Sequence, residues 1–368
     1  QREPEKATEK AKDLVHMAVS RVVHHRALHG QMVPVTPSAL VLGGGLAGMT
    51  AALDLADQGF AVYLVEQEEA LGGNARHLYS TLRQKDFQSA LSALIARIEG
   101  HPLIIVYTRT KLVRLEGFVG NFQGTLRRLD ANGGETQVEC GVLILATGAE
   151  ERRVSEYLYG EDRRVLTQRE LEERLASGGF VLQGRETIAM IQCVGSRTRE
   201  HPYCSRVCCS QALKNAIALK RRYPESTIVI FYRDIRAYGL REAYYRQARE
   251  MGILFVPYEL EADAQGYGGP PRIEPHQDAL YLTAHDPILR ENISLKVDWL
   301  ILSVGIAPRQ DADDLAKRLK VPRNADGFFL EAHMKLRPVE FATEGIYLAG
   351  LAHGPKTAEE TIAQAKAA

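Results

Sequence analysis

Residues 39–66 read ALVLGGGLAGMTAALDLADQGFAVYLVE. The apolar run Ala39–Leu42 predicts a short strand, the glycines after it a tight turn, and MTAALDLADQG a helix. A second strand over Ala61–Val65 ends in an acid, Glu66. Strand, glycine turn, helix, strand and acid, in that order, make the unit that binds a dinucleotide. Gly43 permits the turn, Gly45 lets a pyrophosphate approach the backbone, and Gly48 allows close helix packing, with the phosphates at the positive end of the helix. Leu46 and Ala47 complete the loop. Glu66 follows Gly48 by eighteen residues, where its carboxylate accepts from ribose hydroxyls, with Gln67 beside it. A glycine pattern alone occurs by chance, and the placed acid is what distinguishes this one.

The same unit serves NAD and FAD, so other residues must choose. An acid at position 66 disfavours a 2'-phosphate and so argues against NADP here. The paired glycines Gly72 and Gly73 soon after the acid are similar to those of FAD-binding two-dinucleotide-domain flavoproteins, and the late segment IYLAGLAHGP with Gly350 and Leu351 resembles their second FAD motif, a likeness that implies FAD. In the motif it resembles, an acid often follows the glycine. Leu351 stands there instead, so the ribityl contact must rest on backbone. CGVLILATGAE (Cys140–Glu150) predicts a strand that ends in Ala146, Thr147 and Gly148, all expected at the cofactor. VDWLILSVGIAPR (Val297–Arg309) predicts another strand of this kind.

The chain has 368 residues, enough for two or three domains, with 45% apolar and 25% charged residues. Lys plus Arg equals Asp plus Glu at 46 each, so no global field points to nucleic acid or an anionic membrane. No apolar run approaches the roughly 20 residues of a membrane span, and no secretory signal is visible, so a cytoplasmic setting is expected. The chain starts at Gln1 without Met, and a piece of a longer protein is expected. Residues 4–29 carry Leu14, Met17, Ala18 and Val22 at helical spacing and predict one amphipathic helix before the proline-containing linker VPVTPS. No sequence repeat is visible, and QGYGGPP (Gln265–Pro271) predicts a hairpin tip or loop.

A second alternation follows: strand Thr187–Gln192, helix Ser210–Arg222, strand Ser226–Tyr232. Its strand-to-helix loop, CVGSRTREHPYCSRVCC, holds one glycine, Gly195, and four of the five cysteines within seventeen residues: Cys193, Cys204, Cys208 and Cys209. No GxGxxG can be drawn through it, which argues against a nicotinamide nucleotide there. A bridge between the neighbours Cys208 and Cys209 would be strained. Four thiolates match an iron-sulfur cluster or a structural zinc, while the spacing fits neither a ferredoxin run nor a zinc ribbon. Buried or reactive thiols remain the third reading. Clustered cysteines without a secretion signal favour a reducing compartment.

The runs CVGSR, YCSRVCC with KNA, FYRDIRAYG (Phe231–Gly239) and LAG with HGPK (Leu348–Lys356) resemble the A-subunit of heterodisulfide reductase and its bacterial relatives over nearly the whole chain. The resemblance implies an α/β fold with two Rossmann-like domains, thioredoxin-reductase-like, and an N-terminal helical extension. It divides the chain into a helix and linker (1–37), an FAD-binding domain (38–150 plus 320–368) and a second domain carrying the cysteines (151–319). It implies FAD, with Lys356 at the cofactor, and a 4Fe-4S cluster on Cys193, Cys204, Cys208 and Cys209 placed near the isoalloxazine. Lys214 matches a family lysine expected near the flavin N5. The implied function is an electron-transfer subunit, cytoplasmic and homodimeric, with flavin-based bifurcation as an option. Its partners would be related subunits and a donor protein of the hydrogenase, formate dehydrogenase or ferredoxin class. The ferredoxin modules of larger members are missing between GFVGNF and ATG, so the chain resembles a compact form or a core. Two alternatives stand beside this: an NAD(P)H-dependent flavoprotein oxidoreductase, and a flavin-bound scaffold with structural zinc.

Overall fold

The computed structural model describes residues 3–27, 30, 32–83, 86–130, 133–261 and 268–368. Residues 28 and 29 of the expected N-terminal helix and 265–267 of the expected loop lie outside the described residues. Residues 1–35 form one unit and residues 36–368 another. The first unit contains α1 (Pro4–Val23), shorter than the 4–29 expected. Pro4 opens it, where a missing N–H costs nothing. His24 closes it as the C-cap.

The second unit begins with β1 (Ser38–Leu42), α2 (Leu46–Asp57), β2 (Ala61–Val65), α3 (Phe87–Glu99) and β3 (Ile104–Tyr107). Three antiparallel strands follow, β4 (Thr110–Phe118), β5 (Asn121–Arg128) and β6 (Glu135–Cys140), then β7 (Val142–Leu145) and β8 (Ala149–Glu151). The next stretch has β9 (Val165–Thr167), α4 (Gln168–Ser177), β10 (Thr187–Val194), α5 (Cys208–Arg222), β11 (Thr227–Tyr232), α6 (Glu242–Glu250) and β12 (Leu254–Pro257). Antiparallel strands β13 (Arg272–Pro275), β14 (Leu280–Asp286) and β15 (Glu291–Val297) lead into β16 (Trp299–Val304) and β17 (Ile306–Pro308). The chain finishes with α7 (Ala312–Leu319), β18 (Ile346–Leu348) and α8 (Ala358–Ala367).

Two parallel five-stranded sheets result, in the orders β18-β7-β1-β2-β3 and β12-β11-β10-β16-β9. Their central strands are buried on both faces, which explains the unbroken apolar runs LVL, IAMI and IVIF. Alternate residues feed opposite cores. Leu40 and Leu42 of β1 join one, Val41 the other; Ile188 and Met190 of β10 join a third, Ala189 and Ile191 a fourth.

The two sheets share one plan that no sequence repeat announces. Each has a central strand, a helix, and two further strands to one side. A three-stranded antiparallel excursion then returns the chain to the fourth strand on the other side, β7 or β16. β8 and β17, which follow those returning strands, pair antiparallel with Glu151 opposite Ile306. The α/β class with two Rossmann-type sheets and an N-terminal helix is the fold expected. α5 starts two residues earlier than expected, so Cys208 and Cys209 lie in its first turn.

Candidate functional site

β1 and β2 run in parallel register, with Leu42 beside Val65, so the loop after β1 meets the residue after β2. Gly43 has φ +107, and a Cβ on it would lie 2.3 Å from the Ala146 carbonyl oxygen. Only glycine fits that turn. Glu66 is buried, and its carboxylate accepts from the N–H of Gly44 (2.7 Å) and of Glu68 (2.8 Å). The acid therefore shapes the loop before any ligand arrives. Gly45 caps α2 with no side-chain hydrogen bond, and a Cβ there would meet nothing within 4 Å. Open space over an uncapped helix N-terminus is what a pyrophosphate requires.

Two cavities meet at this loop. The larger, about 490 Å³, is bordered by Gly43, Gly45, Leu46, Ala47, Glu66, Gly73, Ala146, Thr147, Gly148, Lys214, Leu351 and Lys356. The smaller, about 210 Å³, is bordered by Gly43, Glu66, Gln67, Thr110, Lys111 and Asp311. Gly43, Glu66, Thr147 and Arg309 border both. A long ligand with two ends fits such a pair, and the volume of the larger cavity lies in the range of cofactor sites. An FAD held here would lay its pyrophosphate on Gly45 and the start of α2. This chain's donor set fits that group.

Three of the residues expected at the FAD border neither cavity. Gly48 packs α2 against the loop, because a Cβ on it would lie 1.8 Å from the Gly43 oxygen. Gly72 donates its N–H to the Gly44 carbonyl and braces the loop from outside. Gly350 lies on Ala47, and its N–H is taken by Gln364 at 3.0 Å. Lys214 borders the large cavity, yet its ammonium is engaged: it pairs with Glu172 at 2.6 Å and donates to the Ser80 carbonyl at 2.9 Å. Burial pushes that ammonium below its ordinary range, against the pull of Glu172. Burial, with help from Arg206, pushes Lys356 down to about 8, while its ammonium donates to the Gly350 and Gly354 carbonyls.

Sequence reasoning missed several residues of this wall. Arg309 lies against Asp311 (2.9 Å), which also accepts from Gln67 (3.1 Å). The strand-ending motif before Arg309 was the available signal. Arg169, Ser210, Gln211 and Arg241 also border the large cavity. Glu151 faces it too, and burial pushes its carboxyl up to about 7. Nothing in the local sequence marks that acid.

The iron-sulfur expectation is corrected here. Among the described residues, no group of three or more His, Cys, Asp or Glu side chains is placed to hold a metal ion. Cys208 and Cys209 are consecutive in the first turn of α5, and each sulfur is turned to a backbone partner of its own, although the four thiols stay within electrostatic reach of one another. The Cys208 sulfur approaches the Val304 carbonyl (3.6 Å), the Cys209 sulfur approaches that of Asp234 (3.9 Å), and the Cys204 sulfur accepts from the Arg206 N–H (3.3 Å). Burial holds the Cys193 and Cys208 thiols up and pushes Cys209 to about 12, so all three are protonated thiols at neutral pH. None of the four borders the cavity, although Val207 and Ser210 on either side of Cys208 and Cys209 do. With the 4Fe-4S assignment fall the zinc alternative, the flavin-to-cluster wire and bifurcation through it.

Alkylation checks this arrangement. In native protein at about pH 8, Cys140, Cys208 and Cys209 should resist iodoacetamide for hours, while all five cysteines react once unfolded. Modification of Cys209 at the rate of a free thiol, read by mass spectrometry, would contradict the burial described.

The sequence profile described as pyridine nucleotide-disulphide oxidoreductase matches residues 37–177. The chain is 33% identical to the second iron-sulfur A-subunit of CoB–CoM heterodisulfide reductase from Methanopyrus kandleri, over 100% of this chain and 68% of that one. That alignment spans 459 positions, more than this chain's 368 residues, so the relative carries internal segments absent here. The A-subunit of the H(2):CoB-CoM heterodisulfide,ferredoxin reductase of Methanothermobacter marburgensis is 31% identical over 99% of this chain and 68% of its own. Lactococcus lactis thioredoxin reductase superposes with a TM-score of 0.59, covering 90% of this chain and 96% of that one at 16% identity. Such a likeness speaks for the fold. Among the described residues no helix is long and apolar enough to cross a membrane.

Proposed function

The chain belongs to the A-subunit family of heterodisulfide reductases, and from that premise we propose that it is an FAD-dependent oxidoreductase subunit that exchanges hydride with a reduced nicotinamide nucleotide. The observation that carries this reading is the correspondence of the two sheets. In the first, the residue after β2 is Glu66; in the second, the residue after β11 is Arg233. Doubly wound sheets bind nucleotides at that strand end, with an acid for a ribose 2'-hydroxyl and an arginine for a 2'-phosphate.

Arg233 donates to the Arg197 carbonyl at 2.7 Å, and Arg236, three residues on, pairs with Asp234 at 3.1 Å. α5 begins, like α2, without a side-chain cap. The loop before it folds on itself through Arg197 to Tyr203 and Thr198 to His201 backbone bonds. Phosphate contacts would therefore rest on the first turn of α5 and on the arginines rather than on a glycine cradle. Val207, Ser210 and Gln211 carry the same helix to the wall of the large cavity, where FAD would present its ring. Bound FAD would supply hydride acceptance, and the chain's own groups bind it, orient it and exclude water.

The family's members are subunits, so partner subunits belong to this reading. A donor of the hydrogenase, formate dehydrogenase or ferredoxin class, a homodimeric state and the division into 38–150 plus 320–368 and 151–319 are proposed with it. The test is anaerobic stopped-flow reduction of the FAD-loaded chain. NADPH should bleach the flavin at least about tenfold faster than NADH, and Arg233→Glu should remove that preference while leaving FAD content unchanged. A flavin that neither nucleotide reduces would overturn the proposal.

A further inference from the structure

The turn Gly350–Ala352 borders the cavity through Leu351 and is held from behind by three polar side chains that the cavity does not use. The buried Gly350 has φ +73 and donates its N–H to Gln364 Oε1 at 3.0 Å. A backbone N–H can only donate, so the amide oxygen of Gln364 must face it and the amide nitrogen must face away. That nitrogen lies 2.7 Å from His353 Nδ1. Nδ1 therefore accepts and carries no proton. The single proton of the neutral ring belongs on Nε2, which lies 2.9 Å from Glu331 Oε2, an acceptor. Each direction in the chain follows from the one before it.

We propose that Glu331, His353 and Gln364 form a one-way hydrogen-bond relay that positions the Gly350–Ala352 turn against the flavin cavity, and that protonation of His353 releases it. The positioning role rests on the FAD reading; the relay itself does not. An imidazolium carries hydrogen on both nitrogens, so Nδ1–H would oppose the Gln364 NH2 group. Rotating the amide would set NH2 against the Gly350 N–H. Either way the turn loses its partner.

The charged groups facing His353 are Glu331 from the preceding loop and Lys356 from the following turn, with Gln364 from α8 as the neutral contact. Lys356 in turn feels Arg206 and Glu360. Burial, reinforced by Lys356 and opposed by Glu331, holds the imidazolium below the ordinary histidine range. The folded value is thus below the unfolded one. The neutral ring's contribution is fully present above the unfolded value of about 6.5 and is lost as pH falls through the folded value.

The experiment uses the full chain with FAD as the probe. Long-range 1H–15N NMR should find His353 in the Nε2–H form at about pH 8. FAD affinity, read by flavin fluorescence, should be level above about pH 6.5 and fall once pH drops below the folded value of His353, by up to about tenfold for each further pH unit. Gln364→Glu keeps an acceptor for Gly350 but cannot donate to Nδ1. It should convert His353 to the imidazolium at neutral pH and flatten the affinity profile. An Nδ1–H ring in the wild-type chain, or identical profiles for both proteins, overturns the relay. Failure to bind FAD at every pH overturns the flavin reading and with it the positioning role, and the ring's tautomer still decides the relay.

Discussion

Replacing Lys214 with methionine should lower the free energy of unfolding by about 3–5 kcal/mol, the cost of leaving a buried charge without its partner. The Lys214 and Glu172 side chains are 9% and 5% exposed and lie 2.6 Å apart. Glu172 also accepts from the N–H groups of Tyr79 (2.8 Å) and Ser80 (3.3 Å), and Lys214 donates to the Ser80 carbonyl. The pair thus fastens the segment before α3 to α4 and α5. Methionine keeps the length and loses the charge, so the carboxylate stays buried with two neutral donors only. Adding Glu172→Gln removes the stranded charge and keeps an acceptor for the two N–H groups. The double variant should therefore be more stable than Lys214→Met alone by at least about 1 kcal/mol, a coupling expected for residues in contact. Urea unfolding of the three variants measures it. A loss below about 1 kcal/mol for Lys214→Met would mean that water reaches the pair.

The second large effect belongs to Gly48. A methyl there would lie 1.8 Å from the Gly43 oxygen and 3.0 Å from its carbonyl carbon, and both are backbone atoms. Alanine favours a helix by about 1 kcal/mol over glycine, but that gain cannot offset a forced separation of α2 from the loop. Gly48→Ala should cost about 3 kcal/mol and abolish FAD binding with it. Gly45→Ala separates the two consequences. Its Cβ meets nothing within 4 Å, and its φ of -77 suits any residue. Stability without the cofactor should stay within about 0.5 kcal/mol, while the methyl enters the cavity and weakens FAD by at least about tenfold. Thermal unfolding and flavin titration of both variants check the contrast. Equal stability losses would show that the two glycines do not divide the tasks of packing and approach.

The β1–α2–β2 unit was legible because its information is local: a periodic helix, two apolar strands and an acid at a set spacing all act within 28 residues. Glu151 was not legible. Its elevated carboxyl arises from burial at a wall built by several segments. Neither was the partner of Lys214, since Glu172 is distant in sequence and looks like any charged helix residue. The cysteines mark the limit most clearly. Four thiols in one loop satisfy a ligand count, but among the described residues no three His, Cys, Asp or Glu side chains are placed to hold a metal ion, and that placement depends on tertiary packing.

The amino-acid sequence by itself determined the fold class, the family and the first nucleotide loop, because strand and helix periods, glycine sterics and an acid's placement are short-range constraints. Tertiary structure alone decided that the two sheets repeat one plan and that Arg233 stands where Glu66 stands in the other. It also decided that Gly350, His353, Gln364 and Glu331 form one directed chain. Those relations depend on how distant segments pack, and a hydrogen bond's direction is set only when both of its groups have been brought together.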